Sequence, residues 1–361
     1  MKNRVYDRCV VGFSDTGAAN TVHAVRQGIR DIAIVSRGSP KLSTHLTNCG
    51  SNEQRKELVD ELADYSAVTG DSIPQFHHLG GRGMLRGANG THAYPEDLRH
   101  WHDCCAAEVL RPFFEMNDEL RGVRPDRTSC EAQSYVWGLL KEERPRRVPV
   151  TFGRGQMDCP MHHLNEVMTR TRGKADVFCN TYVVDFEEFD GFVDVHVIDE
   201  RTGMSSVLRT RDLVLAAGCI NSVAVSLRSQ VENATLGNCA ANHLEARALL
   251  VVDRSFGEMS LCASAMFGPP TADPEDRSQI HIRGRDDGRQ MVIEIASFSA
   301  MDPRPENRIT LSDECDPFGV RMPHVELSLS SEDIERRKRA VARIRRIAER
   351  LDAHYATNQY P

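Results

Sequence analysis

This sequence lacks long hydrophobic runs, an excess of positive charge and an apolar stretch near its start. Each of these absences argues against one class of protein. No apolar run approaches the roughly 18 residues of a membrane-spanning helix, so we expect no contact with a membrane. The net charge of -7 predicts no binding to nucleic acid, and the one basic cluster, Arg336–Arg350, is typical of an exposed helix face. No long apolar stretch follows Met1, which argues against a secretory signal.

A disulfide framework and a metal site are also not expected. The 11 cysteines are odd in number and follow no regular spacing, which favours reduced thiols in a cytoplasmic protein. Cys159, His162 and His163 form the only suggestive cluster. Cysteine and histidine at this spacing provide two ligands, whereas a closed zinc site needs four.

What the sequence does contain is the pattern of a βαβ unit at its start. The chain has 361 residues, of which 40% are apolar, and this is enough to bury a large core. Residues 5–12 alternate and then run apolar, as in a central strand. Gly17–Gly28 predicts a helix, and Asp31–Val35 predicts a second short strand.

Further strands follow along the chain. Val177–Phe186 and Phe192–Ile198 predict a hairpin that turns at Asp190-Gly191. Leu213–Ala217 predicts a buried strand that runs into a glycine turn.

The last third of the chain has a different pattern. Residues 246–253 and 279–297 predict strands of a more antiparallel region. Ser331–His354 has apolar residues at helical spacing and predicts a closing helix.

The first strand ends in a glycine turn of the type that binds dinucleotides. In such turns the first glycine makes the bend, the second lets backbone approach the diphosphate, and the third lets the helix pack on the strand. Gly12 and Gly17 occupy the first and third places, but Ser14 occupies the second. Asp15 adds a negative charge near the diphosphate position. A Rossmann-like unit with no bound dinucleotide is therefore the alternative interpretation.

The end of the second strand also departs from the usual pattern. Dinucleotide-binding proteins place Asp or Glu there to hold the ribose hydroxyls. Here the strand ends at Val35-Ser36-Arg37. Ser36 can donate one hydrogen bond and Arg37 can meet a phosphate, but neither replaces a carboxylate well.

Several segments stand in a recognisable order along nearly the whole chain: Tyr6–Gly17, Leu79–Gly87, Pro95–Trp101, Val214–Ser222, Gly237–His243, and Asn307–Ser312 with Asp316–Gly319. In order and spacing they resemble the glucose-methanol-choline family of FAD oxidoreductases. There they correspond, in the same order, to the opening FAD strand and turn, the glycine-rich flavin loop, the helix after it, the second FAD-contact segment, a later family segment, and a substrate-domain strand and turn.

The resemblance implies an α/β fold, with a Rossmann-like FAD-binding domain built from discontinuous segments and an antiparallel-sheet substrate region. Residues 1–150 and 205–245 would form the FAD-binding region, 151–204 a β-rich insertion, and 246–361 a substrate-domain-like region ending in a helix. FAD would accept a hydride from an alcohol group of a small molecule. The residues implied at the cofactor are Gly12, Ser14, Gly17, Ser36, Arg37, Gly80, Gly81, Arg82, Gly83, Ala217, Gly218 and Asn221.

The flavin loop departs from the family at two positions. Arg82 replaces a small residue, and Arg86 stands where Asn or Trp is usual. An arginine there either stabilises a reduced, anionic flavin, or fills the flavin's space and anchors a substrate carboxylate or phosphate.

The catalytic residues of the family have no matching positions up to Pro361. In the family a C-terminal segment supplies a catalytic histidine with its His or Asn partner. The remaining catalytic candidates are His78 and His92, which flank the flavin loop, and Arg86 within it. Histidines that only pack loops are the simpler interpretation.

Two other functions remain open because of the altered turn and the unmatched C-terminal segment. In the first, the scaffold has lost flavin and serves as a non-redox isomerase, cyclase or lyase in secondary metabolism. Alternatively, a partner chain or a second copy in a homodimer covers the surface where that segment packs in the family.

Overall fold

The computed structural model of the chain describes residues 4–44, 46, 52–85, 107–121, 123–124, 131–139, 146–147, 150–153, 156–157, 159–255, 266–267, 278–286 and 289–356. The chain divides into two compact units, each assembled from three stretches. Unit 1 comprises Met1–Ala88, Phe152–Ala240 and Pro305–Leu327. Unit 2 comprises Asn89–Thr151, Ala241–Arg304 and Ser328–Pro361.

The helices within the described ranges are α1 (Asp15–Arg26), α2 (Asn52–Leu62), α3 (Ala107–Arg121), α4 (Glu131–Leu139), α5 (Pro160–Thr171), α6 (Cys219–Arg228) and α7 (Ser331–Arg350). The strands there are β1 (Val5–Tyr6), β2 (Arg8–Val11), β3 (Ile32–Val35), β4 (Ala63–Asp64), β5 (Thr69–Gly70), β6 (Gln75–Phe76), β7 (Val123–Arg124), β8 (Arg146–Arg147), β9 (Val150–Gly153), β10 (Gln156–Met157), β11 (Asp176–Phe178), β12 (Thr181–Phe189), β13 (Phe192–Asp199), β14 (Ser205–Thr210), β15 (Leu213–Leu215), β16 (His243–Val252), β17 (Met266–Phe267), β18 (Ser278–Asp286), β19 (Met291–Ala300), β20 (Arg308–Cys315), β21 (Arg321–Glu326) and β22 (His354–Tyr355).

A parallel sheet in the order β11-β3-β2-β15 lies at the centre of unit 1. β2 and β3 carry short runs of β-branched and small apolar residues that are buried, as expected of strands covered on both faces. The predicted βαβ unit is present as β2, α1 and β3. Leu213 pairs with Cys9 and Leu215 with Val11, so the segment near position 215 joins the sheet beside the first strand.

The predicted hairpin is present as β12 and β13, which turn at Asp190-Gly191 and join β14 and β1 in a second sheet. One difference from the prediction lies at its start. The strand expected over Val177–Phe186 is split, because Asn180 adopts a left-handed conformation with φ +50°. β11 therefore belongs to the parallel sheet, and the chain turns before β12 begins.

Unit 2 is built on an antiparallel sheet in the order β22-β16-β19-β18-β17-β8. Apolar residues alternate along β16 and β19 and form one buried face with the apolar side of α7. This buried face includes Leu250, Ile293 and Ile295 on the sheet and Ile344 and Ile347 on the helix, all of them nearly fully buried.

The predicted closing helix starts as expected at Ser331 and ends earlier than expected, at Arg350. A capping box fixes its start, because Ser330 Oγ accepts a hydrogen bond from Asp333 N and the Asp333 carboxylate accepts one from Ser330 N. Its end follows from Asp352, whose φ of +48° no longer continues a helix. None of the helices in the described ranges combines the length and apolar character needed to cross a membrane.

Candidate functional site

The order of strands reverses between β2 and β15, so the loops after these two strands diverge at the carboxyl end of the parallel sheet, and we call the place between them the crevice. In such sheets ligands bind where the loops diverge on either side of the reversal. Gly12 follows β2 with φ +91°, and its N–H donates to Val35 O at 2.7 Å. A Cβ at Gly12 would overlap Ala216 O and lie 2.8 Å from Ala217 Cα. The two predicted nucleotide segments therefore meet here, at a distance that only glycine permits.

Gly17 allows α1 to pack directly on this turn. A Cβ at Gly17 would overlap Gly12 O, so a larger residue would push the helix away. Ser14 is the N-cap residue of α1, but its side chain makes no bond to the first turn. Thr16, in that first turn, is exposed. A helix N-terminus carries a partial positive charge that favours anions, but the Asp15 carboxylate in the first turn of α1 offsets it.

A segment that we call the bridging segment, Gln75–Met84, crosses the same end of the sheet. The Gly83 N–H donates to Ser14 Oγ at 3.0 Å. A Cβ at Gly83 would lie 2.7 Å from Pro160 Cγ and 3.1 Å from both Asp15 N and Ser14 Oγ. Position 83 therefore requires glycine, and its backbone lies against the first residue of α1.

Two further contacts hold the bridging segment against the neighbouring loops. Gly38, just after β3, approaches His77 so closely that a Cβ there would overlap His77 O. Asn221 Nδ2, in the first turn of α6, donates to Gln75 Oε1 at 3.1 Å. The segment is thus fastened to the loops that follow β2, β3 and β15.

Glycines shape the middle of the bridging segment. Gly80 and Gly81 have φ of +97° and +47°, which start a turn of 3-10 helix. Arg82, between the glycines, is exposed and folds back along the segment. Its Nη2 donates to Pro74 O at 2.9 Å, and its guanidinium lies 5.3 Å from the Phe76 ring centroid.

At the end of β3, Arg37 belongs to an internal ion pair. Its Nε donates to Glu200 Oε1 at 2.6 Å, and its guanidinium lies 4.2 Å from the Tyr182 ring centroid. The second oxygen of Glu200 accepts a hydrogen bond from Gly38 N at 3.2 Å. Ser36 is buried, and its hydroxyl makes a long bond of 3.4 Å to Arg37 O.

His78 is a buried acceptor at the start of the glycine turn. It is 3% exposed, and burial lowers its pKa below the usual range, which keeps the ring neutral at pH 7. Its Nδ1 lies 3.0 Å from Leu79 O, which only accepts, so Nδ1 carries the proton. Nε2 is then a lone-pair acceptor, and it is buried without a hydrogen-bond partner.

The neighbouring His77 lies among charges. Burial, reinforced by Arg37, lowers the pKa of His77 to about 4. Its Nδ1 is 3.4 Å from Asp64 Oδ2, and its Nε2 is also buried without a partner. Although burial opposes it, hydrogen bonds from Ser66 hold the pKa of Asp64 below its usual value.

The turn after β15 is the open side of the crevice. Ala217 is partly buried, and Gly218 is exposed with φ +84° as the N-cap residue of α6. No atom would lie within 4 Å of a Cβ at Gly218. Arg86 and His92, two of the three catalytic candidates, lie outside the described residues, so their positions stay predictions.

Several residues of this arrangement escaped the sequence analysis. Gln75, Gly38 and Glu200 each contact a residue far away in the chain, and no local sequence pattern predicts such a contact. The turn Gly38-Ser39-Pro40 is a partial signal, since glycine followed by Ser-Pro favours a tight bend. Within the described part of the chain, no group of three His, Cys, Asp or Glu side chains is arranged to hold a metal ion.

Comparisons with known proteins bear on the fold. No protein-family model matches the chain, and no curated protein matches its sequence. Among solved structures, the chain is similar to pyridoxine 4-oxidase from Mesorbium loti, with a TM-score of 0.68 and 12% identity over 99% of this chain and 84% of that one. At this identity the likeness shows the fold alone. It confirms the predicted α/β class, in which a Rossmann-like domain built from discontinuous segments is combined with an antiparallel-sheet region.

Proposed function

We propose that the chain is an FAD-dependent oxidoreductase that oxidises an alcohol group of a small molecule. The observation that carries this proposal is the meeting of Gly12 and Gly17 with Ala216 at the reversal of the parallel sheet. A crevice of this kind is the usual site for a dinucleotide. The likeness in fold to an oxidase supports the same reaction class.

The two glycines of the turn fit the diphosphate of FAD, because Gly12 and Gly17 allow the close approach of helix and strand that such a turn needs. Gly83 lies against Ser14 at the start of α1, so this segment must move aside for a diphosphate to bind there. The open space around Gly218 lies on the other side of the crevice. Ser36 supports the ribose only weakly, because a hydroxyl replaces the usual carboxylate. When bound, FAD supplies the hydride acceptor.

His78 is the residue that we assign as general base. Its neutral ring presents an unpartnered Nε2 lone pair, and a buried acceptor of this kind costs about 1–3 kcal/mol until a donor reaches it. A substrate hydroxyl is such a donor, and abstraction of its proton requires a heavy-atom distance of about 2.6–3.2 Å. His92 and Arg86 stay in the proposal as further catalytic residues, with Arg86 binding an anionic group of flavin or substrate.

A second candidate function is a non-redox enzyme, an isomerase, cyclase or lyase, that no longer binds flavin. The contact between Gly83 and Ser14 favours it, because this contact lies where a diphosphate would approach α1. A partner chain or second copy that covers the surface where the family's C-terminal segment packs is compatible with either function, and we retain it as part of the proposal.

Flavin content separates the two functions. We expect the purified protein to be yellow, or to become so on incubation with FAD, and to release flavin on denaturation. In the presence of a panel of primary and secondary alcohols, the visible flavin absorbance should bleach without oxygen. A folded protein that takes up no FAD would sink the first function, and activity of that colourless protein would support the second.

A further inference from the structure

Ser14 stands where a dinucleotide turn has its second glycine, and its side chain makes a contact that glycine could not make. As an N-cap residue, Ser14 is of the type that usually bonds to the amides of its own helix. Here its hydroxyl makes no such bond and accepts the Gly83 N–H at 3.0 Å. Gly81 contributes to the same interface, because a Cβ there would lie 3.4 Å from Ser14 Cβ.

The contact lies in the path of a diphosphate. A phosphate oxygen bound at the start of α1 must come within about 2.9 Å of a backbone nitrogen. Gly83 N lies 3.0 Å from Ser14 Oγ, and a Cβ built on Gly83 would lie 3.1 Å from Asp15 N, so Gly83 packs beside this amide and leaves little room for a phosphate oxygen on that side. The Gly83 N–H, itself a suitable phosphate donor, is taken by Ser14 Oγ.

The bridging segment is anchored one residue beyond this contact, and Gly83 itself is buried. Met84 is fully buried against Leu42, Leu62 and Cys159, which fixes the end of the segment. By contrast, the bonds from Gly81 N to His78 O and from Leu85 N to Arg82 O are local to the turn and would persist if the turn moved as a whole.

We propose that Ser14 is a latch that holds Gly83 on the N-terminus of α1, so that a dinucleotide diphosphate binds only after the Ser14–Gly83 bond opens. Ser14 thereby lowers the affinity of the crevice for nucleotide. The proposal rests on the proposed function in taking FAD as the nucleotide, but the latch itself concerns the diphosphate.

Two variants test the latch, with ADP as a probe that carries the diphosphate without a flavin. Ser14→Gly removes the hydroxyl and the Cβ, and Ser14→Ala removes the hydroxyl alone. Ser312→Ala is the matched control, because the partly exposed Ser312 in β20 also accepts a backbone hydrogen bond, from Glu314 N to its Oγ, at 3.0 Å. Circular dichroism and thermal melting establish that each variant folds. If Ser14→Gly does not fold, Ser14→Ala is used for the test in its place.

We expect hydrogen exchange of the Gly83 amide in the ligand-free protein to be faster in both Ser14 variants and unchanged in Ser312→Ala. ADP and FAD should bind Ser14→Gly roughly tenfold more tightly than the unaltered chain, the change expected from releasing one hydrogen bond. Ser14→Ala should lie between the two.

The latch is overturned if exchange at Gly83 does not change, if ADP binds Ser14→Gly no more tightly, or if no variant binds ADP. Tighter binding of ADP without any binding of FAD would leave the latch standing and reject the flavoprotein. The two proposals therefore fail separately.

Discussion

Asn221 and Gln75 are 146 residues apart in sequence, yet the Asn221 side chain donates to Gln75 Oε1 at 3.1 Å. This bond joins the first turn of α6 to β6, just before His77 and His78. The bond is a tertiary contact, because the two residues belong to separate stretches of unit 1. The bond therefore sets where the two histidines stand relative to the loop after β15.

We expect Asn221→Ala and Gln75→Ala each to lower the free energy of unfolding by about 1 kcal/mol, the net value of one neutral hydrogen bond. In the double variant the loss should be less than the sum, because either change alone already breaks the bond. Urea unfolding of all four proteins measures this coupling. Strict additivity would show that the bond contributes nothing.

Gly83 tests how closely the bridging segment packs on α1. A Cβ at this position meets Pro160 and Asp15 N, so Gly83→Ala should destabilise the protein by about 1–3 kcal/mol. Gly138→Ala is the control, because Gly138 lies in α4 with no atom within 4 Å of a Cβ, and alanine there should be neutral or stabilising by up to about 1 kcal/mol. Thermal melting compares the two. Equal stability of both variants would mean that the segment can move away without cost.

His77 should make stability depend on pH. Its pKa is lowered to about 4 in the folded protein, against roughly 6.5 when unfolded, so the unfolded chain binds more protons between these values. The contribution is full above pH 6.5 and is lost as the pH falls toward 4, by about 3 kcal/mol in all. Asp64, Arg37 and His78 are the charged or titratable neighbours that act on this ring.

Urea unfolding between pH 7.5 and 4 measures the loss. His77→Gln should flatten the curve over this range, because glutamine does not titrate there. An equal slope in His77→Gln and the unaltered chain would contradict the assignment.

The sequence could predict this site as far as local patterns reach. Gly12 and Gly17 were predictable because an apolar strand followed by a glycine turn is encoded by neighbouring residues. The strand expected over Leu213–Ala217 is present in part as β15, which ends at Leu215 and is partly buried rather than buried. The partners of Ser14 and Arg37 were not predictable. Gly83 and Glu200 meet them only because the chain returns to the sheet from elsewhere, and many residues along the chain could equally have done so. A tertiary contact of this kind has no periodicity from which to infer it.

Arg37 illustrates the consequence, since the sequence indicated a phosphate ligand and the fold pairs it with Glu200. The pair is about one fifth exposed on each side, so removal of either charge leaves the other poorly compensated. We expect Arg37→Met and Glu200→Gln each to cost about 1–3 kcal/mol of unfolding free energy, and the double variant to cost less than the sum. The affinity for ADP separates the two roles of Arg37. If Arg37 binds a phosphate, Arg37→Met should bind ADP more weakly; if Arg37 only pairs with Glu200, the affinity of Arg37→Met for ADP should not change.

Asp333 is where we expect the largest effect of a single charge. Its fully buried carboxylate accepts hydrogen bonds from Ser330 N and Asp302 N and pairs with Arg336 at 2.7 Å. Although burial opposes ionisation, these bonds hold its pKa below the usual value. Asp333→Ala removes the capping box and leaves the Arg336 guanidinium with less compensation in a buried place.

The expected loss for Asp333→Ala is about 3–5 kcal/mol, because the variant loses the capping box and one of the two carboxylates that pair with Arg336, while Asp302 remains 2.7 Å from Arg336 Nη2. Glu332→Ala is the control, since Glu332 is a neighbouring acid of the same helix in a half-exposed pair with Arg339 and should cost below about 1 kcal/mol. The stabilisation by Asp333 is present above the unfolded pKa of about 3.9 and is lost as the pH falls through the lower folded value. Thermal melting at pH 7 gives the difference between the two variants. A loss no larger for Asp333→Ala than for Glu332→Ala would show that α7 is held by its apolar face alone.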